Sequence, residues 1–117
     1  MPSKVTPQAR FRLQLKHGTA LGPGKAELLE RIAASGSIRA AAEEMGMGYR
    51  TAWQMVQSMN EHFTSPLVDQ QRGGASRGGA QLTATGLKVL KTYRAMEQRA
   101  LKSIAKEMRT LDLLIKS

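Results

Sequence analysis

The sequence predicts a mostly α-helical domain of the α+β class, with three short helices, a small β-sheet and one long terminal helix. Three observations carry this. Apolar residues recur at helical spacing in three successive stretches between Pro23 and Phe63, with glycines at the joints. A glycine-rich tip, Gly73-Gly74-Ala75-Ser76-Arg77-Gly78-Gly79, separates two short extended candidates. Beyond Gly86 no glycine or proline interrupts the chain up to Lys116.

Taken in order, residues 1–10 hold two prolines among polar and basic residues and read as a flexible arm. Phe11 to Lys16 alternates strictly, with Phe11, Leu13 and Leu15 on one face, which predicts a half-buried strand. Gly18 to Gly24 reads as a loop, with Pro23 opening the first helix. That helix is expected over Pro23 to Ser35, with Leu28, Leu29, Ile32 and Ala33 inward and Gly36 as its stop. Ser37 is a good N-cap for the second helix, whose inner face is Ile38, Ala41, Ala42 and Met45. Met45-Gly46-Met47-Gly48 is a tight break, because glycine enters left-handed backbone cheaply. The third helix is expected over Tyr49 to His62, with Ala52, Val56, Met59 and Phe63 inward. Leu67 to Arg72 and Ala80 to Thr83 are the strands of a hairpin, free to pair with Phe11 to Lys16.

Thr83 or Thr85 caps the last helix, which reads as one rod of roughly 30 residues, about 45 Å long. Its near-heptad positions end in Leu101, Ile104, Met108, Leu111 and Ile115. A rod of that length cannot bury both ends on so small a domain. Its distal apolar seam therefore predicts a second copy of the chain as partner, with packing back on its own domain as the alternative.

This order of elements is that of a winged helix-turn-helix, over residues 11–83, followed by a dimerisation helix over residues 84–117. The composition agrees. The 117 residues carry 18 Lys and Arg against 9 Asp and Glu, a net +9, and a pI of about 10.5. A basic excess of this size favours polyanionic partners. From Gln70 to Met96 the chain carries Arg72, Arg77, Lys88, Lys91 and Arg94 and no acid. No apolar run approaches the roughly 20 residues that cross a membrane. The first ten residues lack the apolar core of a signal peptide, and cysteine is absent. These features suit a cytoplasmic protein without disulfides or thiolate metal sites.

In this fold the third helix enters the major groove of duplex DNA, its N-terminal residues meet base edges, and the wing reaches phosphates or the minor groove. With Val56 inward, the helical angle turns Arg50, Thr51, Gln54, Ser58 and Glu61 outward. Arg50 suits guanine, Gln54 suits adenine, and Thr51 suits a base edge or a thymine methyl. Gln57 lies on the flank, within reach of phosphate. Tyr49 and Trp53 lie nearer the inner boundary, and Trp53 reads as packing. Ser37 and Arg39 begin the second helix, where backbone N–H groups attract anions. Arg72 and Arg77 are the wing residues, and Lys88 is either a phosphate contact or simply solvated.

Several strings are more specific. Leu21-Gly22-Pro23-Gly24-Lys25, Ser35-Gly36-Ser37-Ile38, Ala40-Ala41-Ala42, Met45-Gly46-Met47-Gly48-Tyr49-Arg50, Ala52-Trp53 and Leu82-Thr83-Ala84-Thr85-Gly86 occur in this order. Together with the glycine wing they resemble the N-terminal DNA-binding domain of the ModE-type molybdate-responsive transcriptional regulators. That domain is itself similar to the LysR-type winged helix. The resemblance covers Phe11 to Met96. It implies a homodimer reading a palindromic operator, with Gly48, Tyr49, Arg50 and Thr51 at the start of the recognition helix. Two positions depart from the pattern. Gly48 stands where such proteins often have a serine cap, and Thr51 where they often have a second basic residue. The expectation for molybdate is negative, because the β-rich C-terminal region that binds it in such regulators has no counterpart before Ser117. No cofactor is expected, and any ligand signal would come from a separate partner.

Other functional classes fit less well. Only His17 and His62 are available for acid–base work, and the acids are scattered. Gly18 to Lys25 is close to a phosphate-binding loop, but its glycine spacing is one residue too long and Ala26 replaces the required Ser or Thr. No enzyme is expected. An interaction module that kept the fold would leave the third helix silent, against Arg50, Thr51 and Gln54. A non-specific architectural DNA binder on the same fold is the remaining alternative. RNA recognition would want an aromatic platform that the chain lacks.

Overall fold

A computed structural model describes residues 9–70 and 79–117. Most of the arm, together with Arg72 and Arg77, lies outside the described residues. The described chain forms β1 (Leu13–Gln14), β2 (Ala20–Leu21), α1 (Pro23–Ser35), α2 (Ile38–Glu44), α3 (Tyr49–His62), β3 (Val68–Gln70), β4 (Ala80–Leu82), α4 (Ala84–Ser103) and α5 (Ala105–Leu113).

The three central helices follow the expected bounds, and their ends show why. Pro23 sits in the first turn of α1, where its missing N–H costs nothing. Gly36 ends that helix at φ 73°, and its N–H donates to the Ile32 carbonyl. The Ser37 hydroxyl accepts from Ala40 N at 3.0 Å and caps α2. Gly46 makes the left-handed turn at φ 69°, while Gly48 is extended and opens α3 without a side-chain cap. Leu28, Leu29, Ile32, Ala41, Ala42, Ala52, Val56 and Met59 are buried in one core. The small Ala41 and Ala42 let α2 approach its neighbours closely. Ala33 is exposed, contrary to expectation, so the apolar face of α1 is narrower than its spacing suggested.

The β structure differs from the expected single sheet. β1 pairs antiparallel with β2, with Leu13 opposite Leu21, and β3 pairs separately with β4, with Val68 opposite Leu82. The expected loop after Gly18 thus contains a strand, and the wing does not pair with Phe11 to Lys16. A 3-10 turn over Lys16–Gly18 explains this, because His17 (φ 59°) and Gly18 (φ 75°) reverse the chain at once. Leu15 N then donates to Thr19 O at 2.6 Å. The early reversal also ends the alternation, and Leu15 is exposed.

The wing base is tied to the helices. Ala80 N donates to Gly36 O at 2.8 Å, and Ser37 bridges Gly79. The Asn60 side chain on α3 accepts from Leu67 N (2.8 Å) and Val68 N (3.1 Å) and donates to Val68 O (3.1 Å). It thereby satisfies three backbone groups where α3 leaves off and the hairpin begins. Thr83 caps α4 by accepting from Gly86 N at 3.0 Å. A side chain at Gly86 would place its Cβ 2.1 Å from Leu67 O, so only glycine lets α4 pass this close.

α4 returns across the domain and buries Tyr93 in a second, smaller cluster with Leu21 and Ala26. The Tyr93 hydroxyl donates to the Phe11 carbonyl, and the two rings lie 6.0 Å apart. The single rod expected from Thr83 onward is divided at Ile104 (φ −107°, ψ 6°). The Ser103 hydroxyl donates back to Ala100 O at 2.8 Å, a bond that bends helices. No residue of α5 is buried in the single chain, so nothing there straightens it.

Candidate nucleic-acid interface

α3 is held by one face and open on the other. Ala52, Val56 and Met59 are buried, and Asn60 is fixed to the wing base. The opposite face presents Arg50, Thr51, Gln54 and Glu61, all exposed, as the helical angle predicts. Arg50 has no carboxylate within salt-bridge distance among the described residues. Its guanidinium is therefore an available fork for a planar, two-acceptor partner. Gln57 lies half-buried on the flank. Ser58 is half-buried too, and its hydroxyl lies 3.2 Å from His62 Nδ1, so it is less available than its angle suggested.

Trp53 departs from the packing expectation, since 40% of it is exposed. It lies one turn from Tyr49 and Gln57 on the outer half of α3, giving that face an aromatic edge. Gly48 and Tyr49, at the start of the helix, are exposed as well.

Ser37 and Arg39 stand beside this face at the start of α2. The Ser37 hydroxyl accepts the capping bond from Ala40 N at 3.0 Å. Arg39 is exposed, and its guanidinium stacks on the Tyr49 ring, 4.3 Å from the ring centre. Sequence reasoning named both residues separately and missed the contact between them. Nothing in the helical periodicity of either element reports it.

The charge pattern changes once the fold is known. Arg94 does not belong to a free basic stripe. It binds Glu30 through two bonds of 2.6 and 3.0 Å and Glu97 through one of 2.7 Å. These carboxylates hold its pKa well above the ordinary arginine value, against a smaller opposing effect of burial. Arg31 is likewise engaged by Glu27 and Glu44. Among the described residues, the other Lys and Arg side chains have no carboxylate within salt-bridge distance. Arg10, Arg12 and Lys25 line a cleft of about 440 Å³ that Met55 of α3 borders. Lys25 donates to Ala20 O at 2.8 Å, and burial, then Arg12, lowers its pKa. Lys88 and Lys91 are exposed on the early turns of α4.

Past the domain, the apolar seam continues in the open. Leu101 and Met108 are half-covered, while Ile104 is 37%, Leu111 65% and Ile115 70% exposed. Among the described residues no group of His, Cys, Asp and Glu is placed to hold a metal ion. No described helix is long and apolar enough to cross a membrane.

Comparison with known proteins adds to this geometry. The family of bacterial regulatory helix-turn-helix proteins, lysR family, matches residues 24–87. The chain is 38% identical over 96 residues to the molybdenum-pterin-binding protein MopB of Rhodobacter capsulatus, covering 82% of this chain and 36% of that protein. It is 40% identical over 89 residues to the molybdenum transport protein ModE of Azotobacter vinelandii, covering 76% and 33%. With the DNA-binding transcriptional dual regulator ModE of Escherichia coli K12 it shares 37% over 93 residues, covering 78% and 36%. The chain thus spans about a third of the length of these curated relatives. Among solved structures, the CbnR_DBD–DNA complex superposes at a TM-score of 0.60 with 18% identity, covering 75% of this chain and 95% of that one. CbnR, a LysR family transcriptional regulator, superposes at 0.55 with 19% identity, covering 72% and 27%. At these identities the two structures establish a shared fold.

Proposed function

The chain belongs to the lysR family of bacterial regulatory helix-turn-helix proteins, and we propose that it is a transcriptional regulator that binds double-stranded DNA sequence-specifically as a homodimer. One observation carries the reading. α3 is anchored through Ala52, Val56, Met59 and Asn60, and its opposite face offers Arg50, Thr51 and Gln54 exposed, with Arg50 free of any carboxylate among the described residues. An anchored helix with exposed bidentate donors is what major-groove readout requires.

In this reading Gly48 and Tyr49 bring the start of α3 to the groove, and Arg50, Thr51 and Gln54 meet base edges. Ser37, Arg39 and Gln57 bind backbone phosphate, and Arg72 and Arg77 do the same from the wing. Leu101, Ile104, Met108, Leu111 and Ile115 pair with their counterparts in a second copy. A related fold seen in a DNA complex and a relative described as a DNA-binding transcriptional dual regulator support it. The chemistry is recognition, with no reacting group and no cofactor.

Selection from a random duplex library at near-physiological salt tests the proposal. An enriched inverted repeat is the expected result. Binding without an enriched motif would leave only a charge-driven, non-specific role, and absence of binding would overturn the reading.

A further inference from the structure

We propose that Tyr49 is a positioning residue for Arg39, holding its guanidinium as a prepared phosphate clamp at the elbow between α2 and α3. The inference rests on the duplex-binding reading above and specifies how two of its residues work together.

Arg39 is the second residue of α2 and Tyr49 the first of α3. The turn between them is short and fixed, with Gly46 left-handed at φ 69° and Met47 N donating to Ala42 O at 3.0 Å. The two side chains therefore meet across a rigid corner, at 4.3 Å from guanidinium carbon to ring centre. This partner differs in kind from those of Arg31 and Arg94, whose N–H groups bind glutamates. A carboxylate uses up the donors of an arginine. A ring face attracts the cation through its quadrupole and leaves the in-plane N–H donors free. Guanidinium is also weakly hydrated, so covering one face costs little.

Arg39 is thus fixed in position, still charged and still able to donate. The ligand that fits is a phosphate of the DNA backbone next to the groove that α3 enters. Holding Arg39 in advance removes part of the cost of ordering a long side chain on binding. It also ties the phosphate contact to the orientation of α3, so that backbone binding sets the register of Arg50 and Gln54.

The test is a double-mutant cycle on the intact chain with Arg39→Ala, Tyr49→Ala and the pair, titrated against the selected duplex over a range of salt. Tyr49→Phe serves as the conservative variant. Arg39→Ala is expected to flatten the slope of log affinity against log salt by about 0.9, one phosphate's worth. Tyr49→Ala is expected to weaken binding by about 2- to 5-fold, the range of an exposed cation–π contact. It should add nothing once Arg39 is gone, and Tyr49→Phe should retain the coupling to Arg39 that Tyr49→Ala loses. Additive losses in the cycle would overturn the proposal, and so would a Phe variant as weak as the Ala variant. A readout without DNA separates this from the wider reading. The ring-current shift of the Arg39 Hδ protons should appear in the native chain and in Tyr49→Phe, and vanish in Tyr49→Ala. Its absence in the native chain overturns the stack itself. Its presence without any duplex binding overturns the functional reading and with it the clamp.

Discussion

Replacing Gly86 by alanine tests the packing that joins the wing to α4. The new Cβ would lie 2.1 Å from Leu67 O and 3.0 Å from Leu67 C. To reach ordinary contact, the two backbones must separate by about 1.3 Å or more. The Leu67 carbonyl cannot move freely, because it accepts from Thr83 N at 2.9 Å while the Thr83 hydroxyl donates to the preceding Pro66 O at 2.6 Å. Thr83 in turn caps α4. Overpacking costs about 1–3 kcal/mol, and each weakened hydrogen bond adds about 1 kcal/mol. Alanine's better helix propensity returns about 0.5–1 kcal/mol. The net expectation is a loss of about 2–3 kcal/mol, or about 10–20 °C in Tm for a domain of this size. Thermal and urea unfolding followed by circular dichroism would measure it. Gly24→Ala is the control, since nothing lies within 4 Å of its Cβ position, and it should be neutral or slightly stabilising. A Gly86→Ala chain as stable as the native one would refute the close-approach reasoning, and equal losses at both glycines would show that the effect is not local.

Three further perturbations probe other links. Tyr93 has its pKa raised above the ordinary 10.0, first by burial and then by Glu97. The folded chain therefore keeps this proton longer than the unfolded chain, and the stability it contributes is complete below about pH 10 and lost as pH rises further. Urea unfolding between pH 8 and 11 should show the native chain losing its advantage over Tyr93→Phe, and parallel curves would exclude the linkage. Arg50→Ala should weaken operator binding by about 1–3 kcal/mol and relax preference at one base position. Equal weakening on every duplex would reduce Arg50 to a phosphate contact. Ile104→Asp should sediment as a monomer where the native chain sediments as a dimer, because it places a charge in the distal seam. A dimer retained by the variant would move the interface elsewhere.

What could be read from the sequence was local. The bounds of α1, α2 and α3 follow from periodicity interrupted by Gly36, Ser37 and Gly46, and each signal acts within a turn or two of itself. Of the outward set on α3, Arg50, Thr51, Gln54 and Glu61 followed from helical angle alone, while Ser58 is half-buried. What escaped was non-local or unusual. Arg94 and Glu30 are 64 positions apart, and Tyr93 and Phe11 are 82 apart. No spacing rule connects such pairs, so Arg94 was counted as spare charge although it is neutralised. His17 in left-handed backbone gives β1 its own partner, a role more often filled by glycine or asparagine. Asn60 drew no attention in the sequence, where nothing local marks it. Its three bonds become visible only when Leu67 and Val68 are folded against it. Gly86 belonged to a recognisable string, and its reason, the Leu67 carbonyl, lies 19 positions earlier.

These missed contacts form a continuous path. Asn60 on α3 grips Leu67 and Val68, Leu67 meets Thr83 and Gly86, and those two residues begin α4. The first step runs through the short Asn60 side chain and the later ones through a backbone hydrogen bond and a backbone close approach, so the path has no long flexible side chain in it. The outer face of α3 and α4 as far as Leu101, where the apolar seam starts, are therefore parts of one lever. If a second copy covers that seam, the separation of the two α3 helices is set by helix geometry and not by a loop. Rigid separation is what lets a dimer measure the distance between half-sites, since a fixed span matches only one helical spacing of the duplex. The bend at Ile104 falls inside the seam and beyond Tyr93, the last buried residue of α4. Any adjustment between copies can then occur there without disturbing the lever that aims α3.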